Sequence, residues 1–214
     1  MKKIKIKRAI ISVHNKNKLE SLAKYLVINN VEILSTGGTA SFLRKIDKNV
    51  KMIDISKFTD FEEILEGRVK SLHPKIYSGI LGKKNNRNHK SQLKNINVPF
   101  VDLVVVNLYP FEEVSRNTKS SEQDCIENID IGGPSLIRAA AKNFDHVMVL
   151  SDPTQYKPFI EEASNNNNSI SLKSRRKSAQ LAFENTAHYE ATISSWFNKK
   201  TKFGDDKLSI PLKK

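Results

Sequence analysis

The sequence predicts a three-layer α/β domain, a mostly parallel sheet flanked by helices on both faces, with a C-terminal helical extension. Three observations predict it. Over the first 150 residues the apolar rhythm switches repeatedly between strand-like runs and helix-like spacing, as in a chain of alternating strands and helices. Val101 to Val106 is a continuous apolar run, the pattern of a parallel strand buried on both faces. The connections between these runs are short, and two of them carry a Gly-Gly pair.

Ile4 to Val13 reads as the first strand, followed by Asn17 as an N-cap and a helix with Leu19, Leu22, Ala23 and Leu26 on one face. Val31 to Leu34 is a short β-type run. The turn Ser35-Thr36-Gly37-Gly38 then leads into a helix over Thr39 to Ile46, and Met52 to Ile55 is a third strand. Ser121 with Asp124 has the form of a capping box opening a helix through Ile129. Pro134 to Lys142 reads as another helix, Val147 to Leu150 as a buried strand, and Asp152-Pro153 as the start of a further helix. Asn165 to Asn168 reads as a polar surface loop. A long amphipathic helix follows over Arg175 to Phe197, with Ala179, Ala182, Phe183, Ala187, Ile193 and Phe197 on broadly one side. Residues 1–150 are therefore expected to form the core and 151–198 a helical extension that completes it. Residues 199–214, with Gly204, Pro211 and no period, read as a linker.

Composition excludes several classes. The chain has 214 residues, 38% hydrophobic and 28% charged, which is globular rather than disordered. No apolar run reaches the roughly 18 residues of a membrane span. The basic, apolar N-terminus is interrupted by Lys5, Lys7 and Arg8, which suits a strand better than a signal peptide. The single cysteine, Cys125, lies in a helical pattern and suits a reducing cytoplasm. The net charge of +13 raises the question of nucleic acid. Its lysines are scattered among Asn and Ile without a basic stripe or a zinc spacing, so neither a nucleic acid nor a membrane is expected as partner.

Four segments carry chemistry. In Ser35-Thr36-Gly37-Gly38-Thr39, a β-run, hydroxyls, glycines and a helix start suit a phosphate: backbone N–H groups can approach the oxygens while the helix N-terminus adds positive potential. A tight β–α turn would need the glycines equally, though not the three hydroxyls. In Gly67-Arg68-Val69-Lys70-Ser71-Leu72-His73-Pro74, an extended segment would point Arg68 and Lys70 to one side, as an anion or carbonyl clamp or as a solvated charge pair. His73 is a general base or a hydrogen-bonded structural residue beside Pro74. Asn107-Leu108-Tyr109-Pro110 follows the buried run, where ligands of open parallel sheets sit. Asp130 precedes Ile131-Gly132-Gly133-Pro134 and a helix ending Ala-Ala-Ala-Lys142, so Asp130 and Lys142 are read as a proton-transfer pair or as a cap and a helix-end cation.

These segments, with Arg138 to Asn143 and the late Ala182-Phe183-Glu184-Asn185-Thr186-Ala187, occur in one order and spacing that resembles the bifunctional AICAR transformylase/IMP cyclohydrolase family. The resemblance covers about residues 8–198 and implies a methylglyoxal synthase-like fold and a cyclohydrolase that converts formyl-AICAR (FAICAR) to IMP and water. It implies no metal and no organic cofactor. By resemblance, catalysis falls on Lys70, Tyr109, Asp130 and Lys142. Substrate contacts fall on Ser12, His14, Lys16, Ser35, Thr36, Gly37, Gly38, Thr39, Arg68, Ser71, Asn107, Ile131, Gly132 and Gly133. The resemblance implies a family that usually forms a homodimer, largely through domains outside this chain, which leaves this chain's oligomeric state open. Residues 199–214 are expected to lead toward a folate-dependent transformylase domain that this chain does not carry. Two departures stand out: His14-Asn15 replaces the family's usual Ser-Asp, and Ser71 replaces a Thr. The rival readings are a phosphate-binding regulatory module of the same fold and methylglyoxal synthase itself. The regulatory module would not need Lys70, Tyr109, Asp130 and Lys142 together, and methylglyoxal synthase is the lesser rival.

Overall fold

The computed structural model describes residues 3–48 and 50–201. The chain opens with β1 (Ile4–Lys5), β2 (Arg8–Val13), α1 (Leu19–Ile28), β3 (Glu32–Ser35), α2 (Gly37–Ile46) and β4 (Met52–Asp54). A short α3 (Ile55–Thr59) and a 3-10 turn at Leu65–Gly67 lead to α4 (Pro74–Leu81) and α5 (Arg87–Asn95). Then come β5 (Leu103–Asn107), α6 (Phe111–Arg116), α7 (Glu122–Glu127), α8 (Gly132–Lys142) and β6 (Met148–Leu150). A second 3-10 turn, α9 (Tyr156–Ser164), β7 (Ser169–Ile170) and α10 (Leu172–Thr201) complete the described chain.

The main sheet is wholly parallel, in the order β4-β3-β2-β5-β6. The chain winds outward in one direction from β2 and returns on its other side through β5, so a crevice opens at the carboxyl ends of β2 and β5. Alternation along the central strands divides the core. Ala9, Ile11 and Val13 of β2 with Leu103 and Val105 of β5 meet α1 and α9, whereas Ile10, Val104 and Val106 meet α4, α8 and α10. The three layers are those expected.

Several boundaries differ. Ile4 to Val13 is not one strand: β1 leaves the main sheet to pair antiparallel with β7. At the break, the Asp102 carboxylate accepts the backbone N–H groups of Lys7 and Arg8 at 2.8 and 2.9 Å. Asn17 does not cap α1. Lys18 holds that position in the left-handed region at φ 59°, without a side-chain cap bond. Asn168 is no surface residue, for its side chain is buried and donates to the Ile6 carbonyl at 2.8 Å. The capping box of Ser121 and Asp124 is present, but α7 stops at Glu127.

The long helix α10 forms, yet its buried stripe is not the expected one. Ala179, Ala182, Thr186, Tyr189, Ile193 and Trp196 face inward at alternating spacings of three and four, while Phe183, Ala187 and Phe197 are exposed. Arg175 opens the stripe, fully buried, donating to the carbonyls of Phe144, Ile170 and Asp145 at 2.8, 2.6 and 3.2 Å. The linker expected over residues 199–214 lies outside the described residues from 202 onward, and Lys199 to Thr201 continue α10.

Candidate active site

The crevice at the ends of β2 and β5 is a cleft of about 700 Å³. β2 brings Ser12 and Val13 to it, and the following turn adds His14 and Lys16. Gly37 at φ +55° makes the sharp bend out of β3, after which Thr36, Gly38 and Thr39 face the cleft at the start of α2. The Gly67–Leu72 segment forms one wall with Arg68, Lys70 and Ser71. Asn107 and Tyr109 after β5, then Asp130, Ile131, Gly132 and Gly133 at the start of α8, form the other. Two helix N-termini, those of α2 and α8, thus converge on one cavity and make it favourable to anionic groups.

Three expected residues are not among its lining. Ser35 is fully buried and its hydroxyl donates to the Ile11 carbonyl at 2.8 Å, fastening β3 to β2. Gly37 shapes the turn without lining the cavity. Lys142 is exposed in the last turn of α8, whose first turn lines the cleft. At about 1.5 Å per residue, Lys142 lies roughly 15 Å along the axis from that turn, so this chain does not bring its ammonium beside Asp130. Thr39 lines the cleft, but its hydroxyl is bonded to the backbone N–H and carbonyl of Val13 at 3.1 Å each. Of the three hydroxyls in the turn, Thr36 is the one without a side-chain cap bond that also faces the cavity.

The Arg68–Lys70 segment is not extended as expected. A 3-10 turn and a single bridge between Ile64 and Val69 fold it into a tight loop, with Gly67 at φ +89°. Both cations still reach the cleft, where each has a carboxylate: Arg68 pairs with Glu127, and Lys70 Nζ lies 3.9 Å from Glu63. Glu127 has no motif to announce it, because it meets Arg68 only across 59 residues of sequence, and Glu63 meets Lys70 only because the loop between them is folded tightly. His73 is structural: its Nδ1 accepts the Lys75 N–H at 3.2 Å as the N-cap of α4. Asn107 is likewise half committed, exchanging hydrogen bonds with the Asn15 backbone at 2.9 and 2.7 Å.

Asp130 is the most constrained group in the cleft. Its Oδ1 accepts the Gly133 N–H at 2.7 Å, and the Tyr109 backbone N–H also bonds the carboxylate. Burial pushes its carboxyl up from the ordinary range, against those two amides and the charges of Lys70 and His14. His14 packs edge-on against the Tyr109 ring with centroids 5.3 Å apart, so the imidazole that replaces a hydroxyl braces Tyr109. Tyr109 is 38% exposed and presents its ring at the mouth. Among the described residues no cluster of three or more His, Cys, Asp or Glu could hold a metal ion. No helix among them is long and apolar enough to cross a membrane.

Comparison with known proteins gives the family. The MGS-like domain model matches residues 18–135, which contain β3 to β5 and most of the cleft. The chain belongs to the MGS-like domain family. This MGS-like domain continues into residues 140–214, which match the AICARFT/IMPCHase bienzyme model. The bifunctional purine biosynthesis protein PurH of Acetivibrio thermocellus is 44% identical over 203 residues, 95% of this chain and 38% of that protein. PurH of Leptospira biflexa is 46% identical over 197 residues, 92% of this chain and 38% of that protein. The chain thus spans 38% of the length of these curated relatives. The crystal structure of ForH is 28% identical with a TM-score of 0.78, covering 90% of this chain and 99% of that one.

Proposed function

We propose that this chain is an IMP cyclohydrolase, closing FAICAR to IMP with loss of water. The observation that carries the reading is a half-buried carboxylate, Asp130, that lines the same cleft as Lys70, Tyr109 and the glycine turn at the start of α2. Similarity to PurH proteins and to the bienzyme model supports it.

In this reading the phosphate sits against Thr36, Gly38 and the α2 N-terminus, with Lys16 as counter-charge and Ser12 on the ribose side. The anionic substrate displaces Glu127 from Arg68 and draws Lys70 from Glu63. The carboxamide nitrogen is a poor nucleophile, so holding it against the formyl carbon of the same molecule supplies much of the acceleration. Asp130 accepts a proton from that nitrogen as the N–C bond forms. The Gly133 amide is committed to Asp130, which leaves the first-turn amide at Gly132 and the Lys70 ammonium for the oxyanion. The formyl C–O bond then breaks. The departing oxygen leaves as water with one proton from the carboxamide nitrogen and one from the formamido nitrogen. Lys142 does not line the cleft, so in this reading Lys70 is the acid that serves the departing oxygen.

The test is conversion of FAICAR followed by IMP absorbance. Parent chain that leaves FAICAR unchanged removes the reading, as does Asp130→Asn closing the ring at the parental rate. Lys142→Ala in the same assay decides the acid: a parental rate leaves it with Lys70, and a large loss returns it to Lys142. Thermal stabilisation by IMP beyond that given by inorganic phosphate separates the enzyme from a phosphate-binding regulatory module. The same reading carries a cytoplasmic setting, a homodimer and coupling to a folate-dependent transformylase domain.

A further inference from the structure

Asp130 lies in the irregular segment 128–131 between α7 and α8, where carbonyls of α7 accept the N–H groups of Asn128 and Ile129 while the N–H of Asp130 is met by a side chain. That side chain comes from far along the sequence and serves two backbone groups. The Asp130 N–H donates to the Tyr189 phenol oxygen at 2.8 Å, and that phenol donates to the Asn128 carbonyl at 3.0 Å. Tyr189 lies midway along α10, 8% exposed, with its ring edge-on to Phe111 at 6.3 Å. It belongs to a small cluster with Cys125, Ile193 and Trp196, so packing sets where its oxygen stands. The residue does not line the cleft.

We propose that Tyr189 is a positioning residue: it pins the backbone of Asp130 so that its carboxylate stays on the amides of Gly133 and Tyr109. This assigns a function to α10, which falls in the bienzyme match and outside residues 18–135 of the MGS-like match. The helical extension then does more than cover the sheet; it holds a catalytic carboxylate through one hydroxyl. Burial pushes the phenol up to about 12, so at neutral pH it stays protonated and keeps both bonds. The kinetic part of the proposal rests on the ring-closure reading, and the placement of Asp130 does not.

The experiment compares Tyr189→Phe with Ile193→Val, which loosens the same cluster but keeps the phenol. Asp130 is titrated in the substrate-free protein through its carboxyl carbon signal, assigned by its loss in Asp130→Asn. The charged and titratable groups facing Asp130 are Lys70, His14, Tyr109, Tyr77 and Tyr189 itself, and Tyr189→Phe alters only the last. Both amide bonds favour the ionised carboxylate, so a carboxylate that slips from them titrates at higher pH. Tyr189→Phe is expected to raise the Asp130 midpoint, while Ile193→Val lowers thermal stability and leaves it in place. In ring closure, the acid limb of kcat/KM moves upward with it, and kcat falls on the order of 10–100-fold with KM little changed. A parental titration midpoint in folded Tyr189→Phe overturns the proposal. Should the parent not convert FAICAR at all, the ring-closure reading fails and the titration alone decides the placement.

Discussion

Gly133→Ala is the sharpest probe of how the cleft holds its carboxylate. A Cβ built at Gly133 comes within 2.8 Å of Asp130 Cγ and of Leu108 Cδ2, and meets an Asp130 carboxylate oxygen closer still. Gly133 has no left-handed φ, so the effect is one of space rather than backbone strain. Asp130 must turn away and give up the 2.7 Å bond from the Gly133 N–H. Hydrogen bonds to a charged group contribute about 1.5–3 kcal/mol each and Ala in a helix is favoured over Gly by about 1 kcal/mol, a net loss of about 0.5–2 kcal/mol, to which crowding Leu108 adds about 1–3 kcal/mol. A base displaced by the order of 1 Å costs about 10²-fold in kcat, or about 2.7 kcal/mol of barrier. FAICAR cyclisation at saturating substrate, with a urea unfolding curve on parent and variant, measures both quantities. The reasoning is refuted if folded Gly133→Ala closes the ring at the parental rate.

Asp130→Asn should lose on the order of 10²–10⁴-fold in kcat, yet at neutral pH unfold at higher urea than the parent. Its carboxyl is raised by burial, so the native state binds more protons than the unfolded one; the ionised group destabilises above the ordinary carboxylate range, and the gain of Asn fades as pH falls below it. Lys16→Met should raise KM about tenfold with kcat little changed, because the phosphate contact is the same in ground and transition states; a fall in kcat alone would contradict this. Arg175→Met leaves the carbonyls of Phe144, Ile170 and Asp145 without their guanidinium. At about 1–3 kcal/mol per unsatisfied group, chemical unfolding should report a loss of at least about 3 kcal/mol.

Local pattern was enough where the physics is local. The apolar run ending in β5, the stripe Leu19–Leu22–Ala23–Leu26 of α1 and the capping box at Ser121 are each decided within a few residues, by burial period or by one turn's hydrogen bonds. The same holds for the glycine turn into α2 and for Asp130 ahead of α8, so most of the cleft could be read residue by residue. What the pattern could not carry were choices settled by a distant partner. The alternation from Ile4 breaks at Lys7-Arg8, but that break does not say where the first piece goes, and only β7, more than 150 residues later, draws β1 out of the sheet. A hydroxyl has no address of its own: Ser35 and Thr39 turn to the β2 backbone because those groups would otherwise be buried without partners. Apolar side chains on α10 look alike in one dimension, and packing against α8 and α6 buries Tyr189 and Trp196 while leaving Phe183 and Phe197 outside. The residue types of the site, and the order in which they come, belong to the sequence by itself. That Asp130 is pinned by Tyr189 was decided by the tertiary structure alone, because a hydrogen bond depends on distance in space and not on separation along the chain.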